Sequence, residues 1–426
     1  MGQGSARCQA TGDEDHFLVS CPLFPVPHRC ASILRVTAFG PRLYNTVTHK
    51  AEPLPGGDVG LYVCGVTPYD TSHLGHAFTY AVFDVLVRYL RFLGRRVTYV
   101  QNVTDIDDDV LLRAAKTNRD WKELGDEEYA AFREQMSRIG NLNPDVAPRA
   151  TDHIPEIQQI VERLIEKGVA YENKSSVYFE VRKDPKFGRL FNHSYDSMLQ
   201  IANERGNFPA DPLKRDPLDF VLWQGQKDGE PAWDSPWGPG RPGWHIECSA
   251  MAMKYLGETI TIHGGGEDLV FPHHDAEIAQ SENYSGALFV QHWLHAAMVY
   301  CGEHKMSKSL GNMVFVRDLI DGSSPDALRL HLLSHHYREP WDHPLDAGVP
   351  TVELAAQLTR SLADAAAPSD AELERYRGAF LNAMANDLDT PAAIAEIERL
   401  AGSEEPAARR AAKALGQRVL GLTFTP

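Results

Sequence analysis

From Leu61 onward the chain switches between short apolar runs and longer stretches with apolar residues at every third or fourth position. The short runs at 61–66, 96–102, 259–263 and 296–301 predict strands, and the longer periodicity at 75–93, 105–139, 247–256, 274–285 and 324–335 predicts helices. Strand and helix in alternation predict an α/β fold built on a parallel, doubly wound sheet. The alternation breaks between 145 and 240, where one amphipathic helix at 154–167 is followed by hairpin-like strands at 177–181 and a segment rich in Pro, Gly and Asp. That stretch predicts an inserted α+β unit. Residues 1–41 show neither period and are expected to form a poorly ordered extension. The expected division is therefore an extension over 1–41, a first half of the sheet domain over 42–144 and an inserted connective domain over 145–240. A second half follows over 241–349, then a short, alanine-rich helical bundle over 350–426.

Composition narrows the class. A chain of 426 residues with 43% apolar content can bury a large core, and no apolar run reaches the length of a membrane span. The six cysteines, at 8, 21, 30, 64, 248 and 301, form no dense framework, which suits a reducing cytoplasm. The formal net charge of -16 argues against broad electrostatic capture of nucleic acid. No repeat or coiled-coil seam suggests an obligate partner.

Candidate chemistry concentrates at a few places. His73-Leu74-Gly75-His76 falls between a predicted strand and a predicted helix, where backbone N–H groups favour phosphate. Lys305-Met306-Ser307-Lys308-Ser309, flanked by Gly302 and Gly311, offers mobile positive charge to a leaving pyrophosphate. Cys64 ends the first predicted strand, Cys248 lies in Gly243-Trp244-His245-Ile246-Glu247-Cys248, and His273 and Glu277 are one helical turn apart. Two thiols, an imidazole and a carboxylate make a tetrahedral zinc set, although buried cysteines and a helix-opening His-His pair fit the spacing equally well. The glycine triplet Gly264-Gly265-Gly266, beside Glu267 and Asp268, permits close backbone approach to a ligand.

Taken in order, 65–69, HLGH, Asn102 to Asp108, Gly240 to Met251, Gly264 to Glu277 and KMSKS resemble the cysteinyl-tRNA synthetase family of class I synthetases over about 43–342. The resemblance implies a Rossmann-type catalytic domain with an inserted connective domain, and zinc held by Cys64, Cys248, His273 and Glu277. It implies that L-cysteine is activated with ATP and Mg2+, the substrate sulfur lying on zinc so that serine is rejected. By the same likeness Gly65, Thr67, Thr104 and Trp244 hold the amino acid. Thr79, Asn102, Gly266, Glu267, Asp268 and Val299 surround the adenylate, and His73, His76, Lys305 and Lys308 serve the phosphates. His263 and His274 are expected to be support residues.

The acceptor divides the family. The chain stops soon after the bundle, and residues 351–426 carry 8 basic and 11 acidic residues with Tyr376, Phe380 and Phe424 as the aromatics, a poor surface for an anticodon. The short C-terminus, Thr67-Pro68-Tyr69-Asp70, the HLGHA form of the first motif and Glu204-Arg205-Gly206-Asn207-Phe208-Pro209 resemble the mycothiol-pathway ligase. That ligase joins cysteine to the amine of glucosaminyl-inositol; Asn207 and Phe208 depart from its usual ERGGDP. Glu277, 278–282 and 255–263 look more like the tRNA enzyme. A small amine is the preferred expectation, tRNA(Cys) the alternative, and an inactive binding paralogue the remote one.

Overall fold

The computed structural model describes residues 40–69, 72–306, 310–344 and 347–425. The expected extension lies outside these residues except at its last two positions. A hairpin, β1 (Arg42–Asn45) with antiparallel β2 (Lys50–Pro53), opens the described chain. Periodicity did not reveal it, because four-residue strands as polar as Lys50–Pro53 carry no apolar alternation.

The first half of the sheet domain follows as β3 (Val59–Val66), α1 (Leu74–Phe92), β4 (Val97–Val103), α2 (Asp108–Thr117) and α3 (Trp121–Arg138). Strand β3 is buried along nearly its whole length, as expected of a central parallel strand covered on both faces. Helix α1 is apolar on most of its circumference and correspondingly buried, with His73 capping its first turn. Asp107 and Asp120 cap α2 and α3 by accepting from backbone N–H groups.

The interruption is an α+β unit: α4 (Ile154–Glu166), β5 (Ala170–Asn173), β6 (Ser176–Phe179), α5 (Tyr195–Glu204), β7 (Phe220–Gly225) and β8 (Gly240–Pro242). Its four strands form an antiparallel sheet in sequence order. Helix α4 turns Ile157, Ile160, Val161 and Leu164 inward, onto a core shared with Phe179, Leu222 and Trp223.

The alternation resumes with α6 (Trp244–Leu256), β9 (Ile260–Gly266), α7 (Asp275–Ser285) and β10 (Val290–Ala296). The main sheet is fully parallel, ordered β10-β9-β3-β4. The strand expected at 296–301 meets the main sheet only at Ala296; the edge strand β10, which precedes it, was not expected, and the rest of the expected range covers β11. β10 ends at Ala296, and Ala297 N–H donates to Tyr337 O at 2.7 Å, after which β11 (Val299–Cys301) joins a separate sheet. That sheet pairs β11 with the short β12 (His304–Lys305) and with β13 (Trp341–His343), which follows α8 (Val316–Asp321) and α9 (Pro325–Leu333).

Four helices complete the chain: α10 (Val352–Leu362), α11 (Asp370–Ala385), α12 (Thr390–Ala401) and α13 (Pro406–Leu415). Their apolar residues join the same core as α1 and α9. Among the described residues, no helix is long and apolar enough to cross a membrane.

Candidate active site

β3 and β9 are neighbours at the centre of the parallel sheet, and the chain leaves them in opposite directions, toward β4 and toward β10. A doubly wound sheet opens a crevice at that point, outside the carboxyl ends of the strands. Cys64 and Gly65 end β3, Gly264 to Gly266 end β9, and a cleft of about 1500 Å³ lies there. Gly65 permits the approach of β4: its N–H donates to Asn102 Oδ1 at 2.8 Å, and a Cβ would stand 1.6 Å from the Asn102 carbonyl oxygen. Gly65→Ala must therefore part the two strands, at about 1–3 kcal/mol. A lowered unfolding midpoint in denaturant is the expected result, and a midpoint equal to that of the parent protein would show that the strands relax freely.

The cleft floor carries the sulfur and imidazole groups. One ligand atom each from Cys64, His273, His274 and Glu277 lie within 4.8 Å of one another, all four residues buried. Cys64 Sγ stands 3.3 Å from His274 Nε2, 3.5 Å from Glu277 Oε1 and 3.9 Å from Cys248 Sγ. His273 Nε2 lies 2.7 Å from Glu277 Oε1, one helical turn away. His263 Nε2 approaches Glu277 Oε2 to 3.2 Å, without the angles of a hydrogen bond. Outer partners fix the rings: His245 Nδ1 meets His273 Nδ1 at 2.9 Å, and His274 Nδ1 meets His295 Nε2 at 2.7 Å. Trp244 stacks on His273 with centroids 4.5 Å apart.

Burial sets the electrostatics here. It raises the Cys64 thiol and the Glu277 carboxyl well above their usual ranges and pushes His263 and His274 far down. Burial also opposes ionisation of Cys248, but the Cys64 thiol and His273 outweigh it and bring Cys248 down to about 7. The protein alone thus keeps most of this pocket neutral. A bound cation would reverse that, and soft thiols with imidazole and one carboxylate oxygen lacking a donor suit zinc.

The other end of the cleft is built where the two motifs meet. His73 pairs with Phe315 across an isolated bridge, Leu74 N–H donates to Val314 O at 2.9 Å, and Val316 N–H donates to Ser72 O at 3.0 Å. Asn312 holds the turn before them, donating to Cys301 O at 3.0 Å and Lys305 O at 3.2 Å. His73 and His76 stack at 3.8 Å between centroids. Loss of solvent pushes His76 down to about 4, so its ring is neutral near pH 7. Lys305 Nζ lies 3.5 Å from Asp268 Oδ2.

Cys64, Gly65, Thr67, His73, His76, Thr79, Asn102, Thr104, Trp244, Cys248, Gly266, Asp268, His273, Val299 and Lys305 all line this cleft. Glu277 sits beneath its floor, Glu267 is absent from its wall, and Lys308 lies outside the described residues. Asn102 Oδ1 accepts from Gly65 N–H, and its amide N–H donates to Thr104 Oγ1 at 3.2 Å. His274, expected as a support residue, stands among the possible ligands. The segment Val270–His274 is kinked at Phe271, which is extended (φ −138, ψ 137), and the adjacent His273 and His274 just before α7 both offer a ring nitrogen to the cluster.

Comparison with known proteins places this geometry. The family model described as "tRNA synthetases class I (C) catalytic domain" matches residues 50–347. A protein of Syntrophobacter fumaroxidans named cysteine--tRNA ligase is 51% identical over 303 residues, which are 70% of this chain and 61% of that protein. The chain therefore spans less than two thirds of that relative. A cysteine--tRNA ligase of Syntrophotalea carbinolica is 45% identical over 84% of this chain and 76% of its own length. A protein of Thermomonospora curvata named L-cysteine:1D-myo-inositol 2-amino-2-deoxy-alpha-D-glucopyranoside ligase is 41% identical over 95% of this chain and 100% of its own. Among solved structures, Mycobacterium tuberculosis methionyl-tRNA synthetase with methionyl-adenylate has the same fold, with a TM-score of 0.59 at 16% identity over 86% of this chain and 92% of its own.

Proposed function

The chain belongs to the class I (C) tRNA synthetase family, and from that premise we propose that it activates L-cysteine with ATP and passes the cysteinyl group to a small amine, most simply glucosaminyl-inositol. The observation that carries the reading is one cleft with a buried thiol-imidazole-carboxylate cluster at its floor and the paired His73 and His76 with Lys305 at its other end. Cys64, Cys248, His273 and Glu277, with His274 beside them, would hold zinc. The chemistry supplied there by a bound zinc ion is preference for a thiolate over a hydroxyl.

Gly65, Thr67, Thr104 and Trp244 orient the amino acid so that its carboxylate faces the α-phosphorus of ATP. A carboxylate oxygen bonds to that phosphorus, the bond to the bridging oxygen breaks, and pyrophosphate leaves with the electron pair. His73 and His76, with Lys305 and Lys308 and the Mg2+ that arrives with ATP, hold the phosphates as charge moves to the leaving group. Thr79, Gly266, Asp268 and Val299 line the wall for the adenosine, and Glu267 belongs behind it. The neutral amine then attacks the carbonyl carbon, AMP departs, and the nitrogen gives up a proton.

The acidic lining of the cleft supports a small amine. Asp107, Asp108, Asp109 and Asp211 line it, and burial lifts Asp107 to about 6. Among the cations that line the cleft, Arg241 is paired with Asp108 and Glu230 and Lys227 lies 3.9 Å from Glu230, while Arg205 and Lys214 hydrogen-bond to neutral groups, the carbonyls of Asp268 and Phe271 and the Asn207 amide. A second reading, transfer to tRNA(Cys), is favoured by Glu277 within the donor group and by the identity to proteins named cysteine--tRNA ligase.

Pyrophosphate–ATP exchange that depends on cysteine is the expected result, with serine inert. Absence of exchange would sink both readings and leave an inactive binding protein. Cysteine, ATP and either glucosaminyl-inositol or tRNA(Cys) then separate the two acceptors, because charging of the tRNA alone overturns the amine reading.

A further inference from the structure

The loop after α5 presents an aromatic ring that the fold does not use. Phe208 lines the cleft and is 69% exposed, although a phenyl side chain would gain by burial. Its backbone is held on both sides. The N–H groups of Arg205 and Asn207 both donate to Ala202 O, at 2.9 and 3.0 Å. The Asn207 amide donates to Asn203 Oδ1 at 2.7 Å and to Pro217 O at 3.1 Å, while its Oδ1 accepts from Lys214 at 2.6 Å. On the far side, Asp211 N–H donates to Phe208 O at 3.2 Å, and Asp211 accepts from Tyr178 Oη at 2.7 Å. Arg205 also ties the loop to the carbonyls of Asp268 and Phe271, the segment leading into His273. An exposed ring on a pinned loop is a preorganised contact, since little main-chain freedom is lost when a ligand packs on it.

We propose that Phe208 is the platform on which the acceptor packs, and that the acceptor is an amino sugar or cyclitol whose ring offers an apolar C–H face. This rests on the small-amine reading above. Such rings have hydroxyls at the edge and C–H groups on the face, so the chemistry that recognises them pairs an aromatic surface with carboxylate acceptors. The loop supplies both, with Phe208 for the face and Asp211, whose N–H donates to Phe208 O and which lines the same cleft, for the edge.

The test uses the full chain loaded with zinc and Phe208→Ala, Phe208→Trp and the parent protein, assayed with glucosaminyl-inositol as the acceptor. Phe208→Ala is expected to raise the acceptor KM about tenfold with kcat within about twofold, and Phe208→Trp to restore the KM. The cysteine-dependent exchange of the same preparations reads the first half-reaction separately, so failure of the cysteine reading appears there and not in the acceptor KM. An unchanged acceptor KM in Phe208→Ala overturns the platform while leaving cysteine activation standing. So does a loss confined to kcat, or a Trp variant that restores nothing. A parent protein that charges only tRNA(Cys), or a variant that loses tRNA charging alone, reassigns the ring to a nucleobase and overturns the sugar assignment.

Discussion

Cys64→Ser is expected to lose bound zinc and to lower cysteine-dependent pyrophosphate exchange by about a thousandfold or more, equivalent to about 4 kcal/mol of transition-state stabilisation. Cys64 is the meeting point of the cluster, with Cys248, His263, His274 and Glu277 all within 3.9 Å of its sulfur. A hydroxyl keeps the shape of the site but is a poor ligand for zinc, and loss of one ligand weakens a site whose remaining donors are buried and mostly neutral. Were Cys64 only a small buried apolar residue, serine would cost stability and leave activity per folded molecule intact. Metal content by atomic absorption, measured beside exchange on the folded variant, distinguishes these outcomes, and retention of both metal and exchange would refute the assignment. Cys248→Ser should show the same pair of losses. Glu277→Ala sorts the acceptor readings further: a much smaller loss fits an amine ligase working with three protein ligands, and an equal loss fits the tRNA-type site.

The parts of this site that could be read from sequence are those whose chemistry sits at regular places. Cys64 ends a strand whose apolar run is unbroken, and Glu277 follows His273 at helical spacing, so strand and helix geometry alone bring them to one side. His274 could not be placed in the same way, since its position depends on an irregular turn that no periodicity encodes. Apolar runs also missed a strand of the main sheet. In 290–296 the polar Gln291, His292 and His295 interrupt the run, so β10 went unexpected except at Ala296, while the apolar stretch at 296–301 marks β11, which belongs to a separate sheet. The hairpin at 42–53 was hidden because its second strand is largely exposed, which removes the apolar signature. Asn102, which resemblance puts at the adenylate, lines the cleft and hydrogen-bonds Gly65 and Thr104.

Arg329→Met is expected to destabilise the fold by about 3–5 kcal/mol, because it takes one of two cations from a buried carboxylate and the donor from several buried carbonyls. Asp84 on α1 is 2% exposed and Arg329 on α9 is 1% exposed, and the two form an ion pair that joins the halves of the sheet domain. Arg329 does more than neutralise Asp84. Its guanidinium donates to Ile139 O at 3.0 Å, to Asn141 Oδ1 at 2.7 Å and to Leu420 O, so it fastens the end of α3 and the tail after α13 to the same point. Asp84 in turn accepts from Arg88 at 2.8 Å and from Leu142 N–H at 2.7 Å. Methionine preserves most of the apolar stem and removes every one of the donors, and chemical denaturation is the measurement. The double variant Asp84→Leu/Arg329→Met separates the contributions. Removing both charges should recover only a small part of the loss: the carboxylate left to Arg88 alone disappears, but Arg88 and the Leu142 N–H then lose their acceptor, and the carbonyls of Ile139 and Leu420 still lack their donor. A double variant no more stable than Arg329→Met alone would show that Arg88 already compensates Asp84 in the single variant, and that Arg329 acts chiefly by tying those carbonyls together.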